Sequence, residues 1–361
     1  MNTNIEFNPD WFSSPGDTIQ DVLSEKGIHI SELADSMDID LPVLKKVISG
    51  DINICSNTAE SLARCLGSSK AFWMKRDEQY KKALKIQSDR WMDKMPYQSM
   101  AKDGWVPKTR KAEEKLRYCL DFFKVDSVNT WYKEYEDILY SAAFRTSKSY
   151  DSILEPTVAW IQKGKTDVGC IQKSWSKEVL ESEIQNIRNL TLELDPQIFL
   201  PDLKAIFEKA GVLFALTKCP SGCAASGATF FKGENPVLLM SARYLSEDHF
   251  WFTLFHEIGH LLMHSGDGEL FIEGQCQDSP EEQEANDFAQ SVIIPKEYLD
   301  EFKTLNMREW RNIPRFAKKI GISRGLLIGQ MQFHKLIKQQ NLNKFKVKYK
   351  WSQELNSLVL K

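Results

Sequence analysis

No stretch of the 361 residues approaches the roughly 18 consecutive apolar residues that a membrane-spanning helix needs. The opening "MNTNIEFNPDWF" also lacks the charged-then-apolar layout of a secretory leader, so a soluble, cytoplasmic protein with no membrane partner is expected. A disulfide framework is missing too. The seven cysteines, at 55, 65, 119, 170, 219, 223 and 276, are odd in number and scattered, which makes reduced thiols the expected state. Cys219 and Cys223 in "CPSGC" have the spacing of half a metal site, but no second Cys or His pair lies near them in sequence, so they read as structural. Internal repeats and low-complexity tracts are absent. Membrane, fibrous and disulfide-stapled classes are thereby excluded.

What is present suits a globular chain of two or three domains: 42% hydrophobic residues, with aromatics making up 11% of the chain, supply apolar surface for more than one core. The net charge of −3 is unevenly spread. Residues 1–80 hold 13 Asp and Glu against 7 Lys and Arg, a local charge of −6, which leaves the remainder near +3 with its basic excess late, in "NKFKVKYKW".

The first segment is punctuated as five short helices. "SPGDTIQDVLSEKG" opens at Pro15 and stops at Gly27, and "HISELADSM" follows with Ser31 as its expected cap. "DIDLPVLKKVISG" has Asp40 as cap, Pro42 in its first turn and Gly50 as its stop. "SNTAESLARCLG", capped by Ser56, and "AFWMKRDEQYKKALK" complete the set. Two short helices across a tight turn make a helix-turn-helix, in the size and order of a small repressor domain. From "SPGDTIQDVLSEKGI" through "VLKKVISGDINICSNTAESLARCLGSSKAFW" the chain resembles the XRE family of helix-turn-helix domains, specifically antitoxins of the HigA type. The resemblance covers about the first 85 residues and implies DNA binding by residues 1–88. It departs from the family where Ile30, Asp38 and "LPVLKKV" replace the usual polar start, turn glycine and basic recognition helix. Lys45 and Lys46 alone add positive charge there, so they are the expected phosphate contacts. The alternative is a dimerisation or docking module with an acidic face.

Residues 89–195 are polar, dotted with tryptophan and helical in pattern, as in "TRKAEEKLRYCLDFFKV" and "SYDSILEPTVAWIQKG". No motif there carries chemistry, and aromatics at helical period read as core. From about residue 196 the pattern changes. "AGVLFAL", "SGATFF" and "NPVLLMSAR" read as strands, "EDHFWFTLFHEIGHLLMHSG" as one long buried helix ending near Gly266, and "SPEEQEANDFAQSVIIP" as a helix capped by Ser279 and closed by Pro295. The expected fold is α+β and mostly helical: a helix-turn-helix domain at 1–88, a helical linker at 89–195, and a domain with a small sheet at 196–361.

The stretch "FHEIGHLLMH" carries the chemistry. Four residues span about 400° of helix, so His256 and His260 project from one face a turn apart and can reach a single zinc ion, with Glu257 beside them. A catalytic zinc needs a third protein ligand. His264 sits about 12 Å along the axis from His256 and is too far, which suits a role behind the ligands instead. In the following helix Ala285, Phe288, Ala289, Val292 and Ile293 mark the buried stripe. Glu284 falls off it, and Glu281 and Glu282 lie at its edges. Asn286, one turn after Glu282 and able to orient a ligand, favours Glu282 over Glu281.

"FWFTLFHEIGHLLMH" followed by "EEQEANDFAQSVIIP" resembles the ImmA/IrrE metallopeptidases, gluzincin-like enzymes some of which cleave repressors. The resemblance runs from about Leu194 to the C-terminus and implies a zincin-like fold with one Zn²⁺ per chain, held by His256, His260 and Glu282, with Glu257 as the catalytic acid-base. It implies as partner a protein substrate of the transcriptional-repressor kind, beside DNA through residues 1–88. Self-association as a homodimer stays open. Arg243, His249 and His264 are the candidates for stabilising an oxyanion, and an extended substrate is expected to pair with an edge strand at "SGATFF". "IPRFAKKIGISRGLLIGQM" has the offsets of a second helix-turn-helix, read as packing or substrate selection, and "KFKVKYKW" as an edge strand with one basic face. Two functions follow: a zinc endopeptidase acting on a regulatory protein and fused to a transcription-regulator domain, or an antitoxin-like DNA-binding factor whose peptidase fold senses without cutting.

Overall fold

The computed structural model describes residues 13–50, 52–135, 154–264, 271–272 and 279–361. The N-terminal dodecapeptide, the start of the helix read at "SYDSILEP", Gly266 and Cys276 lie outside the described residues. The chain forms two units, Met1–Asp93 and Lys94–Lys361.

In the first unit, α1 (Pro15–Lys26), α2 (Ile30–Met37), α3 (Leu41–Ser49) and α4 (Ser56–Leu66) surround Ile19, Leu23, Leu33, Leu44, Val47, Leu62 and Trp73, the last from α5 (Lys70–Lys94). Ser14 and Asp17 form a reciprocal capping box, satisfying two backbone donors at the start of α1. Two caps fall one or two residues earlier than the sequence suggests. His29 Nδ1 accepts the Ser31 amide at the head of α2, and Cys55 Sγ accepts that of Thr58 at the head of α4. Asp38, at the end of α2, takes a left-handed φ of 54° that a short polar side chain tolerates. Lys45 and Lys46 are exposed on α3, while Leu44, Val47 and Ile48 face inward.

The second unit runs through α6 (Tyr97–Lys102), α7 (Ala112–Phe123), α8 (Val128–Glu134), α9 (Leu154–Asp167), α10 (Lys177–Leu190) and α11 (Pro196–Lys209) before its sheet. Then come β1 (Leu213–Leu216), β2 (Gly227–Lys232), β3 (Asn235–Met240), α12 (Glu247–Met263), β4 (Phe271–Ile272) and α13 (Pro280–Ile293). It closes with α14 (Leu299–Thr304), α15 (Asn312–Ile320), α16 (Arg324–Phe333) and the hairpin β5 (Tyr349–Ser352) to β6 (Ser357–Leu360). The architecture is α+β and mostly helical with a small sheet. Trp131 and Trp160 of the middle segment are fully buried, as their helical spacing requires.

The four-stranded sheet has the order β1-β3-β2-β4, with β1 parallel to β3 and β2 antiparallel to both neighbours. This corrects the expected edge at "SGATFF". β2 is an interior strand, flanked by β3 and by β4, which pairs with Ala228 and Thr229. Helix α12 is apolar on almost every face because it is covered on almost every face, and it forms the centre of the main core with Phe199, Phe207, Leu238 and Leu327. It ends at Met263, with His264 as its cap.

Glycines set how close its neighbours come. A Cβ on Gly259 would stand 3.1 Å from Ala285 Cα, so its absence lets α13 lie directly against α12. At the other end, Gly325 and Gly329 of α16 lie against the side chains of Glu247 and Asp248. The late helix pair α15 and α16 therefore packs on the core around α12. The sequence expectation for "KFKVKYKW" also needs correction. Lys346 precedes the strand and points inward, its Nζ 2.6 Å from Asp248 Oδ2 with both side chains 6% exposed. The adjoining Val347 amide donates to Glu247 Oε1 at 2.7 Å. Tertiary ion pairing, not edge protection, explains this lysine.

Buried Arg188 of α10 ties the same region together. Its guanidinium donates to the Val292 and Ile293 carbonyls at the end of α13 and to the Ile320 carbonyl at the end of α15. These are the orphan acceptors that helix C-termini leave, and a cation there also suits the dipoles.

Candidate metal centre

His256 and His260 lie one turn apart on α12, and Glu282 enters from the first turn of α13, where Ser279 caps the helix by accepting the Glu282 amide. His256, His260, Glu257 and Glu282 are 1%, 1%, 0% and 5% exposed. The two Nε2 atoms are 3.1 Å apart, and the Glu282 oxygens stand 3.2 Å from His256 Nε2 and 3.3 Å from His260 Nε2. All three ligand atoms lie within 4.8 Å of one another, the one such group among the described residues.

The outward-facing nitrogens decide what the inward-facing ones offer. His264 Nε2 is 2.9 Å from Glu284 Oε2, so that nitrogen carries the proton it donates to the carboxylate, and His264 Nδ1 is left as an acceptor. His260 Nδ1, 3.2 Å away, fills it as donor. His256 Nδ1 likewise donates to Asn286 Oδ1 at 3.1 Å. With both Nδ1 atoms protonated, both Nε2 atoms turn lone pairs toward each other and toward a carboxylate. Three electron-pair donors facing one another in a buried space repel unless a cation sits among them. The residues therefore fit a metal ion, and their imidazole and carboxylate set is of the kind zinc sites use. Burial, foremost, lowers the pKa of His260 and keeps it neutral, as a ligand must be.

Glu281 is exposed and Glu284, 61% exposed in its side chain, meets His264, so of the three neighbouring glutamates Glu282 is the one that reaches His256 and His260. Asn286 serves His256, not the glutamate four residues before it from which its role was inferred. Two residues had no signal in the motif. Gly227 opens β2 so close to α12 that a Cβ there would come 2.4 Å from Glu257 Oε1, and Glu284 ends the chain of contacts through His264 to His260. Of the oxyanion candidates, His264 is engaged behind His260, Arg243 donates to the Ala224 carbonyl, and His249 stacks on Tyr244 with ring centroids 4.3 Å apart.

Residues 215–328 match a peptidase family described as the IrrE N-terminal-like domain. The matched span takes in the four-stranded sheet except the first two residues of β1, the three converging side chains, Glu257 and the first half of α16. It indicates a zincin-like metallopeptidase domain over this part of the chain. No match was found among curated proteins. Among the described residues no helix is long and apolar enough to cross a membrane.

Proposed function

We propose that the chain is a zinc-dependent endopeptidase whose substrate is a regulatory protein of the repressor kind, and that residues 1–88 place it at DNA. The observation that carries the hydrolase reading is the convergence of two inward imidazole lone pairs and a carboxylate next to the buried carboxyl of Glu257. The similarity to the IrrE N-terminal-like domain supports it. Zinc, when bound, supplies Lewis-acid activation of a water molecule and of the scissile carbonyl.

The chain's own residues do the rest. Glu257 takes a proton from the attacking water and passes it to the leaving amine nitrogen, the work of a general base that becomes a general acid. Gly227 lets β2 approach this carboxylate without displacing it. Asn286 and the pair His264 and Glu284 keep the ligand imidazoles in one tautomer and orientation. Lys45 and Lys46, exposed on α3, are the proposed phosphate contacts, and the −6 charge of residues 1–80 makes that attraction local.

The deciding experiment compares wild type with Glu257→Gln in the native host by quantitative proteomics. One protein cleaved in the wild type and intact in the variant is expected. A wild type that cleaves nothing, beside a variant that enriches no partner, would favour a sensor without proteolysis.

A further inference from the structure

Outside the metal centre, two thiols meet in the loop between β1 and β2. Cys219 and Cys223 are both free thiols, and their sulfurs stand 3.0 Å apart. The backbone between them is already a closed turn: the Cys223 amide donates to the Pro220 carbonyl at 3.1 Å, and Gly222 supplies the positive φ of 89° that such a turn needs. A disulfide has its sulfurs about 2.05 Å apart, so closure asks for a movement of only about 1 Å.

Polar groups around the pair differentiate the two sulfurs. Cys223 Sγ accepts from the Thr157 hydroxyl at 3.8 Å and has the Cys219 thiol beside it, while Cys219 also has the Ala225 carbonyl in reach at 3.4 Å as an acceptor for its proton. Arg243, whose guanidinium binds the Ala224 carbonyl, brings a positive charge to the same loop. Cys219 is half-buried and Cys223 is 9% exposed, which admits a small oxidant and excludes a protein-sized one.

We infer that Cys219 and Cys223 are a reversible dithiol–disulfide site whose oxidant is a small hydroperoxide. Burial opposes ionisation of Cys223, but the Cys219 thiol, the Ala225 amide and Thr157 outweigh it and bring Cys223 below the ordinary thiol range. Burial and then the bond to Cys223 push Cys219 well above that range. Cys223 is thus the nucleophile and Cys219 the resolving thiol. The Cys223 thiolate attacks one peroxide oxygen, the O–O bond breaks, and the alcohol leaves, or water when the oxidant is hydrogen peroxide. Cys219 sulfur then attacks the sulfenic acid, the S–S bond forms, and the hydroxyl group leaves as water with the Cys219 proton. The two thiols lose two electrons and two protons, and the peroxide takes up both. Cys119 offers the contrast, a lone buried thiol that burial pushes up to about 12.

The location ties the site to the metal centre without depending on any activity there. The loop runs from Cys223 in four residues to Gly227, which lies against Glu257. The test treats the full chain with hydrogen peroxide, alkylates the remaining thiols and maps the peptides by mass spectrometry. Expected is one peptide containing both residues, two hydrogens lighter and unalkylated, which dithiothreitol returns to two alkylatable thiols. Cys219→Ser should stop the reaction at a sulfenic acid on Cys223 that dimedone traps, and Cys223→Ser should form no disulfide. If both thiols stay alkylatable after exposed Cys170 has been oxidised, or if either pairs with another cysteine, or if wild-type Cys223 proceeds to an irreversible sulfinic acid, the assignment is overturned.

Discussion

Asn286 Oδ1 accepts from His256 Nδ1 at 3.1 Å, so the asparagine on α13 orients a histidine on α12 across the helix interface. The same interface delivers Glu282 to both histidines. A metal site built across two helices is sensitive to three kinds of change: loss of a ligand, loss of what orients a ligand, and a change in the spacing of the helices.

The first two are separable by metal content. Glu282→Ala removes one of three ligands and should lose zinc on purification. Asn286→Ala and His264→Ala leave the ligands in place and should weaken zinc about 10- to 100-fold, measured by competition with a chelator. Glu281→Ala and Glu284→Ala should retain zinc at full stoichiometry, since the first residue is exposed and the second touches His264 and no ligand, leaving His264 in contact with His260. Zinc lost from Glu281→Ala and kept by Glu282→Ala would contradict the geometry.

Helix spacing and base position are tested by two glycines. Gly259→Ala pushes against Ala285 and Phe288 at 3.1 and 3.2 Å, which moves Glu282 away from the histidines and should lower zinc affinity. Gly227→Ala instead meets the flexible end of Glu257 and should retain zinc while cleavage of the identified substrate falls on the order of 100-fold, the effect of displacing a reacting group by about 1 Å. Equal metal loss in both variants would refute the separate roles.

How far the sequence carries this site depends on how local each feature is. The histidine pair, Glu257 and the shared face follow from helical period alone, and so does the exposure of Glu284. Asn286 was legible as an orienting group but not as the partner of His256, because that contact joins residues 30 positions apart. The inward turn of Lys346 was invisible for the same reason, since alternation of Lys with apolar residues describes a strand face and says nothing of Asp248. Interior placement of β2 depends on β4, which contributes only two residues. Caps slipped at His29 and Cys55 because these side chains can accept a backbone proton although serine nearby is the commoner choice.

DNA association by the first unit is checked with Lys45→Gln combined with Lys46→Gln. The pair sits exposed on α3, and the expected result is loss of any shift of the chain's own promoter fragment. Binding that is unchanged across salt would place the contact elsewhere or remove it.

The buried pair of Lys346 and Asp248 carries the last prediction. Breaking it with Lys346→Met leaves a carboxylate at 6% exposure without its ion-pair partner, which costs about 3–5 kcal/mol in unfolding measurements near neutral pH. Burial resists ionisation of Asp248, yet Lys346 and Ser246 together hold its pKa below the ordinary value in the native protein. A group depressed in this way stabilises the fold above its unfolded pKa of about 3.9, and that contribution disappears as the pH falls through the lower, folded value. Without Lys346 only the Ser246 hydroxyl and the weaker influence of His249 are left against burial, the folded pKa rises, and protonating Asp248 relieves the native state instead. The difference in stability between wild type and Lys346→Met should therefore be largest near neutral pH and shrink as the pH falls toward 4 and below, as read from urea unfolding at a series of pH values. A difference that is constant or grows on acidification would mean that Lys346 acts through packing of its alkyl chain and not through its charge.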